Sequence, residues 1–122
     1  MSRAELSCEF RLEAAHRLTG VPEGHKCGRL HGHSFRVEIA VEGQISERQG
    51  WVADYAEIAA AFEPLRERLD HHYLNEIEGL ENPTAEHLAR WIWDRLSPSL
   101  PGLCRVTVRE TCETSCSYRG PG

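Results

Sequence analysis

Apolar and polar residues alternate over residues 4–16, at the start of the chain. A period of two is the signature of a strand that buries one face. The apolar face holds Leu6, Cys8, Phe10, Leu12 and Ala14, and the polar face holds Glu5, Glu9, Arg11 and Glu13. We therefore predict a half-buried first strand, followed by a loop over residues 17–30, which contain three glycines and a proline.

The same alternation returns at His31 and predicts a second strand that ends at about Val41. A last long strand is predicted from Cys104 to about Cys112, and the segment SYRG near the end of the sequence could add a short edge strand. If the first two strands pair, they form a hairpin around the loop over residues 17–30.

Between these strands the apolar residues recur at helical spacing. Asp54 is a suitable N-cap for a helix that ends near Leu69, and Pro64 inside it removes one hydrogen bond. We therefore expect a kink at that proline or two shorter pieces. A second helix begins near residue 83, with either Asn82 or Thr84 as its cap.

The predicted order of elements is β-β-α-α-β, with a short extra strand at the end. This order indicates an α+β fold, an antiparallel sheet with two helices on one face. The 122 residues are 40% hydrophobic and 27% charged, as in a globular protein, and they suffice for one core. We therefore predict a single domain over residues 1–122.

Charge and cysteine content exclude several classes of protein. The formal net charge is −5 and the basic residues are scattered, which argues against a nucleic-acid partner. No apolar run approaches the ~20 residues of a membrane helix, and the first residues lack the apolar core of a secretory signal. Five cysteines is an odd number, so we expect reduced thiols and a cytoplasmic protein.

Three histidines occupy positions where the strand pattern calls for apolar residues. His31 and His33 are in phase with Phe35 on the second strand, and His16 is in phase with Ala14 on the first. In a hairpin the three imidazoles would meet at one end of the buried face, where each needs partners for two nitrogens. A shared zinc ion would satisfy one nitrogen of each, and three nitrogen ligands with an open fourth position are typical of catalytic zinc.

A structural zinc site is the main competing interpretation. Cys27 could be a fourth ligand if it folds back toward His31, or zinc could bind Cys112 and Cys116 of the segment TCETSC. The second pair has no matching pair elsewhere in the sequence. A lone histidine on an apolar face is more often a hydrogen-bonded core residue, so the metal hypothesis depends on the convergence of all three.

Two further polar groups are candidates for a site. Glu110 continues the inward phase of Val106 and Val108, so it either lies at the floor of a pocket or marks the exposed end of its strand. Asp70 directly precedes His71 after the first helix, and a carboxylate beside an imidazole can orient the ring and tune its proton affinity. Charged neighbours at a helix end are common, so this pair alone does not establish a site.

Five stretches of the chain together resemble the 6-pyruvoyl-tetrahydropterin synthase family. They are EAAHRL, CGRLHGHSF, LDHHYLN, ENPTAEHLA and VRETC, and the likeness runs from Phe10 to Tyr118 in the same order. The cysteine followed four residues later by HGH is the most specific of these motifs. Within the family the chain is most similar to the bacterial branch of the queuosine pathway, whose product is 6-carboxy-tetrahydropterin.

The resemblance implies the zinc ligands and the catalytic residues. The ligands of Zn²⁺ would be His16, His31 and His33. Cys27 would be the general base, and His71, supported by Asp70, would relay protons. Cysteine acts as a base only as its thiolate, and a fourth protein ligand would close the position that the substrate needs.

The resemblance also implies a pterin pocket and an assembly. Glu110 would anchor the pterin ring by accepting hydrogen bonds from its N–H groups and could join the proton relay, and Thr84 and Thr111 would help to line the pocket. The family has the tunnelling fold, in which the sheets of three subunits close into a barrel and two trimers form a hexamer. We therefore expect a homo-oligomer, a dimer of trimers, with active sites at subunit interfaces and protected strand edges.

The activity that the resemblance implies is that of a zinc-dependent lyase acting on a small-molecule substrate, 7,8-dihydroneopterin triphosphate. The substrate would lose triphosphate and acetaldehyde to give 6-carboxy-tetrahydropterin. The alternative in the same fold is 6-pyruvoyl-tetrahydropterin synthase activity, which stops before the two-carbon fragment is lost. A non-catalytic module with a structural zinc is a third hypothesis, and it predicts that Cys27 binds the metal.

Overall fold

The computed structural model describes residues 2–122 and shows one antiparallel sheet with two α-helices. The strands are β1 (Arg3–His16), β2 (His31–Gln44), β3 (Leu103–Arg109) and β4 (Cys116–Tyr118), hydrogen-bonded in that order. The helices are α1 (Tyr55–Leu69) and α2 (Ala85–Leu96), and short 3-10 turns span Lys26–Gly28 and Leu74–Glu76. No helix in residues 2–122 combines the length and the apolar character needed to cross a membrane.

Strands β1 and β2 form the hairpin that the periodicity predicted. Their register is unbroken from Arg3 opposite Gln44 to His16 opposite His31. Strand β2 continues beyond the predicted end at Val41, because it stays paired with the first residues of β1. Since side chains alternate between the faces of a sheet, this register puts the apolar positions of both strands on one side.

Both helices pack on one face of the sheet and form the core with it. The fully buried side chains come from β1, β2, β3 and both helices, and include Leu12, Phe35, Ile39, Ile58, Phe62, Leu88, Ile92, Val106 and Val108. Burial of each such large side chain contributes about 1.5–3 kcal/mol relative to leaving it exposed. The predicted α+β fold, with two helices over an antiparallel sheet, is confirmed.

Helix α1 begins where its cap predicted and runs without interruption. The carboxylate of Asp54 accepts a hydrogen bond from the N–H of Ala56 at 2.9 Å. The helix is continuous through Pro64, so of the two expected alternatives the division into two pieces does not occur. Pro64 leaves the carbonyl of Ala60 without a helical donor, but both residues are exposed, and water can supply the missing hydrogen bond.

Helix α2 is capped by the second of the two predicted candidates. The hydroxyl of Thr84 accepts a hydrogen bond from the N–H of His87 at 3.0 Å, as an N-cap does. Asn82 lies outside the helix, and its side chain bonds elsewhere. The position of Pro83, immediately before the cap, becomes important for one of the histidines.

Strand β3 is shorter than predicted. It ends at Arg109 rather than near Cys112, because the last residue of β2 that pairs with it is Arg36. The chain then turns back, and Cys116 of β4 pairs with Val108. The predicted edge strand is therefore present, and the turn between β3 and β4 begins at residue 110.

Candidate active site

The loop end of the β1–β2 hairpin gathers three imidazole rings. The ring centroids are 4.5 Å apart for His16 and His31, 5.0 Å for His16 and His33, and 4.7 Å for His31 and His33. One potential ligand atom from each ring lies within 4.8 Å of the other two. His16 is only 1% exposed, and the other two are partly buried. The convergence that the strand pattern predicted therefore occurs, at a spacing that one metal ion can bridge.

Backbone carbonyls determine which nitrogen of two rings remains free. Nδ1 of His16 lies 2.8 Å from the carbonyl oxygen of Pro83, and Nδ1 of His31 lies 2.6 Å from that of Arg29. Because a carbonyl only accepts, both Nδ1 atoms carry a proton, and in the neutral form of either ring Nε2 carries the lone pair. Nε2 of His16 is buried and has no hydrogen-bond partner in residues 2–122. A bound metal ion would satisfy this lone pair.

The charge state of the cluster also suits a metal. Burial lowers the pKa of His16 and of His33, and the carboxylate of Glu110 acts against this effect in both. The neutral imidazole is the form that binds metal ions. Three neutral nitrogens without a fourth protein ligand fit zinc with an open coordination position, although such a donor set accepts other divalent ions as well.

The cysteines do not join the three histidines. Within residues 2–122 the other group of three potential ligands combines Cys104 with two exposed glutamates, and neither group contains Cys27, Cys112 or Cys116. Burial raises the pKa of Cys104 to about 11, so its side chain is a neutral thiol at neutral pH. The geometry therefore does not favour the structural zinc sites that were considered from the sequence.

Cys27 lies in the 3-10 turn before β2, and both of its backbone groups are bonded. Its N–H donates to Nδ1 of His25 at 3.0 Å, and its carbonyl accepts from the N–H of Leu18 at 2.8 Å. Leu18 follows His16 by two residues. These bonds tie the turn to the chain just beyond the histidine of β1, with the Cys27 residue partly buried.

Asp70 and His71 form a carboxylate–imidazole pair after α1. Oδ2 of Asp70 lies 3.0 Å from Nδ1 of His71, and its Oδ1 accepts from the N–H of Glu13 at 2.9 Å. The Glu13 N–H is the main cause that lowers the pKa of Asp70, and His71 contributes in the same direction. The His71 side chain is 77% exposed, and its φ of 59° is uncommon for a residue other than glycine. An anchored, ionised carboxylate therefore orients an exposed ring.

His71 of this pair lines a cavity to which one of the clustered histidines also contributes. The cavity has a volume of about 480 Å³ and is lined by His33, Gly32 and Ser34 on β2 and by His71 after α1. Because side chains alternate along a strand, Gly32 and Ser34 face away from the side of the sheet that holds the three imidazoles, and of these three histidines His33 lines the cavity. Asp70 thus orients an imidazole that is open to a cavity at the edge of β1, where it could exchange protons with a bound molecule.

Glu110 lies just beyond the end of β3 and faces two other cavities. It lines one of about 570 Å³ together with Thr84, and one of about 550 Å³ together with Thr111. The carboxylate is close enough to raise the pKa of His16 and of His33 against the effect of burial. The strand has ended before this position, as the interpretation of Glu110 as a strand-end residue predicted. Glu110 is nevertheless partly buried beside two cavities, which agrees with its interpretation as a pocket residue.

Two asparagines hold the loop between β1 and β2, and of these the sequence analysis considered only Asn82, as a helix cap. The amide of Asn75 accepts from the N–H of Arg17 at 2.8 Å and donates to the carbonyl of Arg17 at 2.7 Å. The amide oxygen of Asn82 accepts from the N–H of Thr19 at 3.0 Å. Both asparagines stand in the motifs LDHHYLN and ENPTAEHLA, which were the only signal in the sequence.

A single chain does not bring all the predicted residues to one cavity. His33 and His71 line the first cavity, Glu110 lines the other two, and Cys27 lines none of the three. Among residues 2–122, moreover, the hydrogen bonds join no two of the side chains of Cys27, His71 and Glu110. The predicted catalytic and binding residues are therefore spread around the histidine cluster, on different sides of it.

Known proteins resemble this chain over most of its length. A family model described as 6-pyruvoyl tetrahydropterin synthase matches residues 5–121. The 6-carboxy-5,6,7,8-tetrahydropterin synthase of Synechocystis sp. is 44% identical over 119 residues, which cover 93% of this chain and 91% of that protein. The 6-pyruvoyl tetrahydrobiopterin synthase of Drosophila melanogaster is 41% identical over 105 residues, which cover 79% of this chain and 62% of that protein.

A solved structure has the same fold. The 6-pyruvoyl tetrahydropterin synthase of Caenorhabditis elegans matches with a TM-score of 0.91, over 99% of this chain and 98% of that chain. Its sequence identity is 23%, so this likeness supports the fold alone. The order of strands and the helices on one face of the sheet are therefore those of that structure.

Proposed function

The chain belongs to the 6-pyruvoyl tetrahydropterin synthase family as an enzyme, and on that premise we propose the following activity. It is a zinc-dependent lyase that converts 7,8-dihydroneopterin triphosphate to 6-carboxy-5,6,7,8-tetrahydropterin, with release of triphosphate and acetaldehyde, in the queuosine pathway. The 44% identical relative named for that product supports the choice of branch. The observation that carries the chemistry is the buried Nε2 of His16, which has no partner in residues 2–122 where three imidazoles meet.

The histidine cluster is the proposed metal site. His16, His31 and His33 would hold the ion through neutral imidazoles, two of which have their Nδ1–H groups fixed by backbone carbonyls. When bound there, zinc would supply Lewis-acid stabilisation of negative charge on substrate oxygens. The two carbonyls keep the rings in place before any ion binds, which reduces the reorganisation that binding requires.

Cys27 and the Asp70–His71 pair are the proposed proton-transfer groups. Cys27, as a thiolate, would remove a proton from a carbon of the substrate side chain. His71 would pass protons to and from the rearranging side chain, while Asp70 holds Nδ1 of its ring at 3.0 Å. Its 77% exposure leaves this ring free to meet a substrate.

Glu110 is the proposed anchor of the pterin ring. A carboxylate can accept two hydrogen bonds from the amino and ring N–H groups of a pterin, which gives both affinity and orientation. Glu110 lines cavities with Thr84 and with Thr111, and either hydroxyl could contact the ring edge. The Glu110 carboxylate would also take part in the proton relay, since it lies close enough to His16 and His33 to influence their pKa values.

The proposed assembly is a homohexamer, a dimer of trimers whose sheets close into barrels. Within residues 2–122, β1 pairs with β2 along one edge, and on its other edge Glu13 and Ala15 bond to the segment that follows α1. The free part of that edge could pair with a neighbouring sheet. The separation of Cys27, His71 and Glu110 around the cluster also suits sites that are completed between subunits.

We assign the whole chain to one synthase domain that works in the cytoplasm. All five cysteines are free thiols, which suits a reducing compartment. Neither a nucleic acid nor a membrane is a proposed partner. The non-catalytic module is not retained, because the chain belongs to an enzyme family and Cys27 is not grouped with the histidines in residues 2–122.

Product analysis tests the proposed reaction against its alternative. The zinc-loaded protein is incubated with 7,8-dihydroneopterin triphosphate, pterins are identified by mass spectrometry, and acetaldehyde is measured with a coupled alcohol dehydrogenase. We expect the 6-carboxy product and acetaldehyde in equal amounts, and their loss on chelation. The 41% identical Drosophila relative favours the alternative, so 6-pyruvoyl-tetrahydropterin without acetaldehyde would overturn our choice.

A further inference from the structure

Both backbone groups of Cys27, its N–H and its carbonyl, are hydrogen-bonded, one to a side chain and the other to the backbone. On the carbonyl side the partner is the backbone N–H of Leu18, which any residue except proline would provide at that position. On the N–H side the partner is a side chain, Nδ1 of His25 at 3.0 Å. The identity of the residue therefore matters at position 25 and hardly at position 18.

His25 acts as the N-cap of the turn that carries Cys27. Its backbone is extended, with φ −65° and ψ 137°, and its N–H donates to the carbonyl of Pro22 at 3.0 Å. Its own carbonyl accepts from the N–H of Gly28 at 2.9 Å. Histidine is not among the preferred N-cap residues, so serine, aspartate or asparagine would be the expected choice if capping were all that the turn required.

The geometry limits what the loss of this ring would do. The bonds from the backbone of His25 to Pro22 and Gly28, and from Leu18 to Cys27, do not involve the imidazole. The turn therefore keeps its backbone conformation without the imidazole ring. What is lost is the anchor of the Cys27 N–H, and with it the restraint on the direction of the thiol.

We propose that His25 is a positioning residue for Cys27, whose N–H it holds so that the thiol is directed toward the substrate bound beside the histidine cluster. The inference rests on the proposed function, in which Cys27 is the general base. A misplacement of about 1 Å can lower a catalysed rate by about 10²-fold. The remaining bonds of the turn keep the displacement smaller than that.

The test compares His25→Ala with His25→Asn in the zinc-loaded protein. We expect His25→Ala to lower kcat by about tenfold, with KM and zinc content close to those of the parent. His25→Asn, which restores an N-cap acceptor, should recover most of kcat. Glu23→Ala is the matched control, since Glu23 is exposed in the same loop and its side chain has no hydrogen bond or ion pair in residues 2–122.

A second measurement does not depend on turnover. The rate at which iodoacetamide modifies Cys27 is followed by peptide mass spectrometry, with exposed Cys112 as the internal reference. We expect His25→Ala to speed the modification of Cys27 severalfold, because the partly buried thiol gains exposure, and to leave Cys112 unchanged. His25→Asn should return the Cys27 rate toward that of the parent.

The outcomes separate this inference from the proposed function. A parent without activity on the pterin, but with a Cys27 reactivity that follows the cap, supports the positioning role and rejects the proposed reaction. Unchanged kcat and unchanged Cys27 reactivity in His25→Ala overturn the positioning role. Loss of zinc or of folded protein in parallel with activity overturns it too, and so does an asparagine variant no better than alanine.

Discussion

The histidine cluster and the proposed proton-transfer residues are held in contrasting ways. The three histidines stand on two strands with an unbroken register, and carbonyls of Pro83 and Arg29 orient two of the rings. Cys27 and His71 stand on short connecting segments. Beyond backbone hydrogen bonds, one side-chain contact restrains each of them, the ring of His25 for Cys27 and the carboxylate of Asp70 for His71.

Because of this difference, we expect a substitution in one part of the candidate site to leave the other part intact. Sheet register and core packing preorganise the cluster, so only the loss of a ligand should empty it. The proposed proton-transfer groups depend on individual side-chain hydrogen bonds, so we expect conservative substitutions there to reduce turnover and to leave the metal content and the fold intact. Substitutions in either region can therefore show whether this division is correct.

Removal of a zinc ligand should have the largest effect. His31→Ala leaves two imidazoles, and we expect loss of bound zinc and a fall in turnover of about 10³-fold or more, because charge stabilisation by the metal is lost. Metal analysis and a turnover assay measure the two effects. His72→Ala, an exposed histidine outside the cluster, should keep its zinc. Full zinc content in His31→Ala would contradict this metal site.

Removal of the proposed base should affect turnover alone. We expect Cys27→Ala to lower kcat by about 10²- to 10⁴-fold, the usual contribution of general acid–base catalysis. Zinc content and the thermal midpoint should match the parent, because Cys27 is not grouped with the histidines in residues 2–122. Cys112→Ala, at an exposed position, is the control and should retain activity. A Cys27→Ala protein that has lost its zinc would show instead that Cys27 is a ligand.

The histidine cluster, which the sheet holds in place, is also the part of the candidate site that the sequence predicts. Alternation over residues 4–16 and from His31 onward determines the faces of β1 and β2, and pairing then brings the histidines together. The period-two pattern is local information, and core burial enforces it. The fold class follows from the same periodicities, and it is confirmed.

The remaining features depend on contacts that residue types do not reveal. The end of β3 at Arg109 depends on where β4 returns to pair with Val108, which is tertiary information. Pro64 does not divide α1 because Pro64 and Ala60 lie on its exposed side. The groups that orient His16 and His31 are carbonyls, which every residue possesses. Asn75 and Asn82 bond only to backbone, so no complementary side chain indicated them.

Neutralising the carboxylate that orients His71 should have an intermediate effect. We expect Asp70→Asn to lower kcat by about 10- to 100-fold, because a residue that orients a functional imidazole typically contributes that much. Zinc content should not change, since Asp70 contacts His71 and Glu13 rather than the cluster. Glu67→Gln, an exposed change on the same helix, should leave kcat unaffected. Equal kcat values for Asp70→Asn and Glu67→Gln would show that Asp70 has no role in the reaction.

The smallest expected effect is on stability, and it depends on pH. The folded-state pKa of Asp70 lies below its usual 3.8, chiefly because the Glu13 N–H donates to it. A lowered pKa stabilises the fold at pH values above the unfolded pKa, and this contribution is lost as the pH falls through the folded pKa. Urea unfolding of the zinc-free protein should show Asp70→Asn less stable than the parent at pH 7, with the difference shrinking below about pH 4.

The same measurement on His71→Ala distinguishes the two partners of Asp70. Since the Glu13 N–H is the larger cause of the lowered pKa, His71→Ala should keep most of the pH-dependent stability, although its turnover falls. Asp70 would then anchor the segment to β1 through Glu13 and orient the ring through its other oxygen, two separable roles of one carboxylate. A pH dependence that disappears in His71→Ala would mean that the imidazole, rather than the strand, holds Asp70 ionised.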